Sequence, residues 1–308
     1  MSEIRFDGRV AIVTGAGVGL GRSHALGLAA RGAKVVVNDL GVSRDGTGST
    51  SAASEAVVAE IKAMGGEAIA HGCDVSDEDG VNHMIAQTMD AWGRIDICVN
   101  NAGILMDKTF AKMEMSAFRK VVDVHLIGSA NVAHACWPIM REQQYGRVVF
   151  TASSSGLYGN FGQANYGAAK AAMMGLMNVL HMEGARDNIR VNTLAPTAVT
   201  RMTEELFPPE AAEMLAPETI SPGLLYLVSE DAPSQVIMGA GGGSFAQTRV
   251  YETQGITLTG VENTPEEVAA KFDQITDPTD QQEMADAFSQ TKKYALSAAK
   301  ARGLKLDW

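Results

Sequence analysis

The chain has 308 residues, of which 46% are hydrophobic and 20% charged, with a formal net charge of −11. That length can bury a large core. So acidic a chain is poorly suited to a phosphate backbone or an anionic membrane, both of which call for a basic face. Three cysteines, Cys73, Cys98 and Cys136, lie among apolar neighbours without paired or metal-type spacing. They read as small buried hydrophobes, and so sparse and odd a count suits a reducing compartment. Residues 1–5 carry no apolar signal segment, and no apolar run reaches bilayer length. A soluble, cytoplasmic protein is the expectation.

Short β-branched runs at residues 10–14, 34–38, 67–73, 95–100, 146–152 and 189–195 predict strands. Their near-continuous apolar character fits parallel strands covered on both faces. Helical patterns fill the intervals at 20–31, 50–64, 77–92, 116–143 and 165–187. This alternation predicts an α/β fold, a Rossmann-like doubly wound parallel sheet that binds ligands outside the carboxyl ends of its strands. Beyond about Val236 the pattern changes: residues 239–244 form a glycine cluster too loose to name a turn. From residue 263 to 302 the chain turns polar and helical, and Thr264-Pro265-Glu266-Glu267 resembles a helix start. The expected organisation is a nucleotide-binding domain over 1–245 and a helical extension over 246–308, packed on the core or on a partner subunit.

The first strand runs into Gly15, Gly17, Gly19 and Gly21, followed by a helix. Glycines here permit a tight turn and let backbone N–H groups approach a pyrophosphate at the positive helix end. Asp39 ends the second strand about twenty residues later, where a carboxylate can accept from both ribose hydroxyls and repel a 2′-phosphate. That favours NAD over NADP, although Arg44 follows close behind. Asp74 and Val75 end the third strand, and Asn101, Ala102 and Gly103 end the fourth; these are the positions for an adenine edge and a ribose.

Tyr166 and Lys170 stand at i and i+4, on one face of a helix. A phenol with its usual pKa near 10 is a poor base, and an ammonium held beside it is expected to lower that value. Ser153, thirteen residues upstream at the end of the fifth strand, can hydrogen-bond the reacting oxygen.

With these motifs in order and spacing, Thr14-Gly15-x3-Gly19-x-Gly21, Asn100-Asn101-Ala102-Gly103, Ser153 and Tyr166-x3-Lys170, residues 5–245 resemble the short-chain dehydrogenase/reductase family. The resemblance implies Tyr166 as acid/base, Ser153 as orienter of the substrate oxygen, and Lys170 as holder of the nicotinamide ribose. It also implies cofactor contacts from Leu20, and from Pro196, Thr197 and Val199 after the sixth strand. A narrower likeness, carried by Val36-Val37-Asn38-Asp39-Leu40-Gly41 and by Ser155 through Tyr166, is to the dehydrogenase part of peroxisomal multifunctional enzyme type 2. It implies oxidation of a (3R)-3-hydroxyacyl-CoA by NAD. The alternatives are an NAD-dependent hydroxysteroid dehydrogenase and a non-catalytic NAD(H) sensor. The family's usual helix asparagine is His125 here, and a lone histidine in an apolar helix is more often structural. Arg201 and Arg249 are candidate partners for CoA phosphates, while Phe161, Met202, Phe207 and Met214 are candidates for an apolar pocket. A homo-oligomer, at least a dimer, is implied by the resemblance, and no metal site is expected.

Overall fold

A computed structural model describes residues 3–43, 45–48, 51–199, 213–259 and 263–308. The chain divides into two compact units, Met1–Gln247 and Thr248–Trp308.

The first unit is built on one sheet, with strands β1 (Val10–Thr14), β2 (Lys34–Asn38), β3 (Ala68–His71), β4 (Ile97–Asn100), β5 (Gly146–Thr151), β6 (Ile189–Pro196), β7 (Ile237–Gly241) and β8 (Ser244–Thr248). Their spatial order is 3-2-1-4-5-6-7-8, and the pairings from β3 through β7 are parallel. The central strands are buried on both faces, so alternate residues feed two separate cores. Ala11, Val13, Val35, Val37 and Val99 pack under α1 (Gly19–Ala29), while Ile12, Val36, Cys98 and Val148 face the opposite layer. All three cysteines are free and buried in this unit, as their apolar surroundings foretold.

The other helices that place the site are α2 (Ala52–Ala63), α3 (Glu78–Trp92), α4 (Met115–Val122), α5 (Gly128–Gln143), α6 (Ser154–Tyr158) and α7 (Ala164–Gly184). Sequence periodicity gave one helix over 116–143, but the structure inserts a π-helical turn, Asp123–Ile127, between α4 and α5. Such a turn adds a residue to the helical repeat and re-aims side chains, a feature common at functional sites. Here it carries the buried His125.

The glycine cluster conceals strand structure. Ile237–Gly241 pairs parallel with β6, from Thr193↔Ile237 to Pro196↔Ala240, although Gly239 and Gly241 carry no β-branched side chain. Register on an existing edge, not propensity, makes this strand.

The second unit contains a strand pair, Tyr251–Glu252 with Gln282–Glu283, and helices Pro265–Ala270, Phe272–Ile275 and Ala287–Ala301. Thr264 and Glu267 form a reciprocal capping box at the start predicted from sequence. Lys293 binds Glu252 at 2.7 Å, and Phe288 meets Trp308 at a tilt, with ring centres 5.5 Å apart. Among its described residues none is fully buried.

Among the described residues no helix is long and apolar enough to cross a membrane.

Candidate active site

The strand order reverses its direction of growth between β1 and β4, leaving a crevice beyond their carboxyl ends. Thr14 closes its floor. Its Oγ1 accepts from the backbone N–H of Asn101 and of Ala102, each at 3.0 Å, while Asn101 Nδ2 donates to the Thr14 and Gly15 carbonyls. A cavity of about 370 Å³ opens above it. Gly15, Gly19, Leu20, Asp39, Asp74, Val75, Asn101, Ala102, Gly103, Ser153, Tyr166, Lys170, Pro196 and Thr197 all line this space. Gly17, Gly21 and Val199 do not.

The glycine turn has the shape a dinucleotide pyrophosphate needs. Gly15 and Gly19 have φ of +62° and +55°. A Cβ on Gly21 would lie 2.1 Å from the Gly15 carbonyl oxygen, so that glycine shapes the turn from behind. The N-terminus of α1 has no side-chain cap, which leaves its first amides for an anion. Asp39 accepts from Gly17 N and Gly41 N, both at 2.7 Å, and so is fixed at the rim of the turn. Asp74 accepts from the Ser76 amide and hydroxyl. Val199 donates its amide to Leu215, away from the cavity lining. These residues fit a nicotinamide dinucleotide.

At the other end, Ser153 caps α6 and its hydroxyl accepts from Ser155 N at 3.2 Å. The Tyr166 side chain lines the same cavity as Ser153. Lys170 donates to the Thr151 carbonyl at 2.6 Å, and its Nζ stands 5.6 Å from the Tyr166 ring centre. The packing that joins α6 to α7 depends on Gly156, where a Cβ would come within 2.7 Å of the Ala171 nitrogen. Burial raises the Tyr166 pKa above its ordinary 10.0, and the nearby Ser153 hydroxyl partly offsets that rise. Burial also pushes Lys170 down to about 7. The expectation that Lys170 simply lowers the phenol is therefore corrected: desolvation penalises both charged forms.

His125 meets Tyr166 edge to face, with ring centres 5.2 Å apart. Its Nε2 lies 2.9 Å from the Ile104 oxygen and 3.1 Å from the Ile104 nitrogen, positioned to donate to the first or accept from the second. Burial and the Lys170 charge hold its pKa well below 6.5, so the ring is neutral. His125 Nδ1 and Thr151 Oγ1 are buried without a protein partner among the described residues.

Sequence reasoning missed the brace beside Ser153 and Tyr166. Ser155 Oγ and Asn160 Nδ2 both donate to Gln163 Oε1, and Gln163 Nε2 donates to Asp107 at 2.8 Å. Ser155, Asn160 and Gln163 are neighbours in the chain, but Asp107 lies 56 residues away, so no local spacing marks the link. The peripheral candidates fare less well. Phe161 and Met214 are 89% and 64% exposed and do not line the cavity. Arg249, in the second unit, is paired with Glu283. Arg44, Arg201, Met202 and Phe207 lie outside the described residues.

A model of the short chain dehydrogenase family matches residues 9–211. A Mycobacterium tuberculosis protein named as a short-chain type dehydrogenase/reductase is 46% identical over 299 residues, covering 97% of this chain and 98% of its own length. Among solved structures, full-length peroxisomal multifunctional enzyme type 2 from Drosophila melanogaster matches with a TM-score of 0.80 at 34% identity. That match covers 96% of this chain and 50% of the fly chain, so the present chain spans half of that enzyme. A 7α-hydroxysteroid dehydrogenase complexed with NADH and 7-oxo glycochenodeoxycholic acid matches with a TM-score of 0.70 at 31% identity, over 78% of this chain and 95% of the other. With its glycine turn, its serine-tyrosine-lysine cluster and these relatives, the chain belongs to the short-chain dehydrogenase/reductase family.

Proposed function

We propose that the chain is an NAD-dependent dehydrogenase that oxidises a secondary alcohol, with a (3R)-3-hydroxyacyl-CoA as substrate and the 3-oxoacyl-CoA as product. One observation carries this reading: Ser153, Tyr166 and Lys170 share a single cleft with the glycine turn and Asp39. Asp39 favours NAD, because a carboxylate held by two backbone amides welcomes ribose hydroxyls and repels a 2′-phosphate. Support for the cofactor class comes from the structural relative complexed with NADH. Support for the acyl substrate comes from the likeness to multifunctional enzyme type 2.

Bound NAD⁺ supplies the hydride acceptor. Ser153 donates to the substrate oxygen and fixes it beside Tyr166, whose phenolate takes the hydroxyl proton. Lys170, anchored on Thr151, holds positive charge near that phenolate, and the two hydroxyls steady the developing charge on oxygen. The same reading includes a homo-oligomer that pairs the helices following β4 and β5. Its support is apolar side chains left exposed there, Ile127 between α4 and α5 and Val179 and Met182 on α7.

The test is a paired NAD⁺ and NADP⁺ screen over hydroxyacyl-CoA thioesters, hydroxysteroids and simple secondary alcohols. The expected result is the highest kcat/KM with NAD⁺ and a 3-hydroxyacyl-CoA. A better hydroxysteroid would move the substrate to the alternative that the bile-acid enzyme's likeness favours. No turnover with either dinucleotide would remove the dehydrogenase reading altogether.

A further inference from the structure

Lys120 is the terminal turn's contribution of α4 to the cleft lining, and its ammonium is turned to the opposite wall. Nζ donates to the carbonyls of Gly46 at 2.9 Å and Asp45 at 3.2 Å. Both carbonyls belong to the loop that follows β2 and Asp39. Its described residues bond to one another. Ser43 N donates to the Thr47 carbonyl at 2.9 Å, Gly46 N donates to the Ser43 carbonyl at 3.0 Å, and Asp45 Oδ1 gathers Ser43 Oγ and the Thr47 amide and hydroxyl. These hydroxyl and amide donors hold the Asp45 carboxyl below its usual range.

The contact with Lys120 is close and specific. Gly46 has φ of +79°, and a Cβ there would lie 3.0 Å from Lys120 Nζ and 3.2 Å from Ile104. Val42, Ser43 and Gly46 line the same cavity as Asp39. Val42 also packs in the small apolar cluster of Ile104, Val121 and Ala169, to which Tyr166 belongs. The loop therefore runs along the cleft from the ribose carboxylate toward the reacting end, and Lys120 is a cross-cleft tie seen to hold it to α4.

We propose that Lys120 is a positioning residue for the cofactor: by tying the loop at Asp45 and Gly46 to α4, it straps the adenosine half of a bound dinucleotide into the cleft. This rests on the reading of the cleft as an NAD site. The strap acts through backbone carbonyls, so any side chain that donates to two acceptors can serve. Lys120 need not touch the cofactor. Loss of the tie weakens retention of every ligand that carries the adenosine half, and leaves a ligand that lacks it alone.

The experiment measures Kd for NADH, ADP-ribose and nicotinamide mononucleotide on the full chain, in wild type, Lys120→Ala, Lys120→Arg and Gly46→Ala. For Lys120→Ala the expected result is about a tenfold rise in Kd for NADH and for ADP-ribose alike, equivalent to roughly 1.4 kcal/mol. Nicotinamide mononucleotide affinity stays within twofold. Lys120→Arg recovers most of the loss, since a guanidinium also donates to two carbonyls. Gly46→Ala reproduces it, because a methyl group at that φ displaces the loop from Lys120. An unchanged NADH Kd in Lys120→Ala, with NADH binding normal in wild type, overturns the strap alone. Equal weakening of all three ligands also overturns it, as general damage to the fold. Absence of NADH binding in wild type ends both the strap and the NAD reading of the cleft.

Discussion

Tyr166 and Lys170 share one helix face, yet burial acts on them in opposite senses, raising the phenol and lowering the amine to about 7. Lys170 loses its proton near pH 7, which leaves one proton on the two groups, and that form is the base once substrate binding favours phenolate and ammonium. The sign follows from that order. For alcohol oxidation, kcat/KM rises with pH through about 7 and then levels; for ketone reduction it falls over the same window. In Lys170→Met the oxidation limb moves up toward the raised phenol pKa. Oxidation and reduction profiles that are both flat from pH 6 to 9 would remove the pair from the mechanism. Tyr166→Phe deletes the proposed proton acceptor and is expected to cost at least about 10²-fold in kcat. Its NADH affinity, measured by fluorescence titration, stays near that of wild type. Near-normal turnover in that variant would exclude Tyr166.

At the scale of elements, the placement of Ser153 and Lys170 depends on how closely α6 lies on α7. The Gly156 position faces backbone atoms, and a Cβ there would lie 2.7 Å from both the Ala171 nitrogen and the Lys170 carbonyl carbon. Backbone yields less readily than a flexible side chain. Gly156→Ala is therefore expected to lower stability by about 1–3 kcal/mol, the range for overpacking. It should also lower kcat/KM at temperatures where the variant remains folded, because Ser153 caps the displaced helix. Denaturant melts paired with kinetics check both parts, and unchanged kinetics would show that α6 adjusts without moving Ser153. Legibility varies in the same way. The strands at 10–14 and 34–38 coincide with β1 and β2, where burial on both faces makes the apolar run continuous. β7 was illegible, because Gly239 and Gly241 lack strand propensity and only the edge of β6 orders them.

For the whole molecule, the end of the sheet remote from the cleft has its own buried polar groups, Asp96 and Arg147. Arg147 is fully buried near the start of β5, with its guanidinium donating to the carbonyls of Gly146, Asn188, Ser229 and Glu230. It thereby ties β5, the entry to β6 and the segment before β7 together. Arg147→Met removes every one of these donors and is expected to cost about 2–4 kcal/mol. NADH affinity, read below the transition, stays unchanged; a loss of affinity would place this cluster in communication with the cleft. Sedimentation is expected to give at least a dimer. Aspartate at Val179 and Met182 should shift that equilibrium toward monomer, and a monomeric wild type would refute the pairing of helices.

The amino-acid sequence by itself determined the alternation of strands and helices, the glycine turn with Asp39, and the helical spacing of Tyr166 and Lys170. Each is a local pattern, set by residues close together in the chain, where backbone geometry and burial leave little choice. Tertiary structure alone decided what depends on distant segments meeting. The brace from Ser155 through Gln163 to Asp107, the tie from Lys120 to the Asp45–Gly46 loop and the edge-on contact of His125 with Tyr166 belong to that class. The opposed shifts of Tyr166 and Lys170 belong there too, because desolvation arises from everything packed around a group, not from its neighbours in sequence.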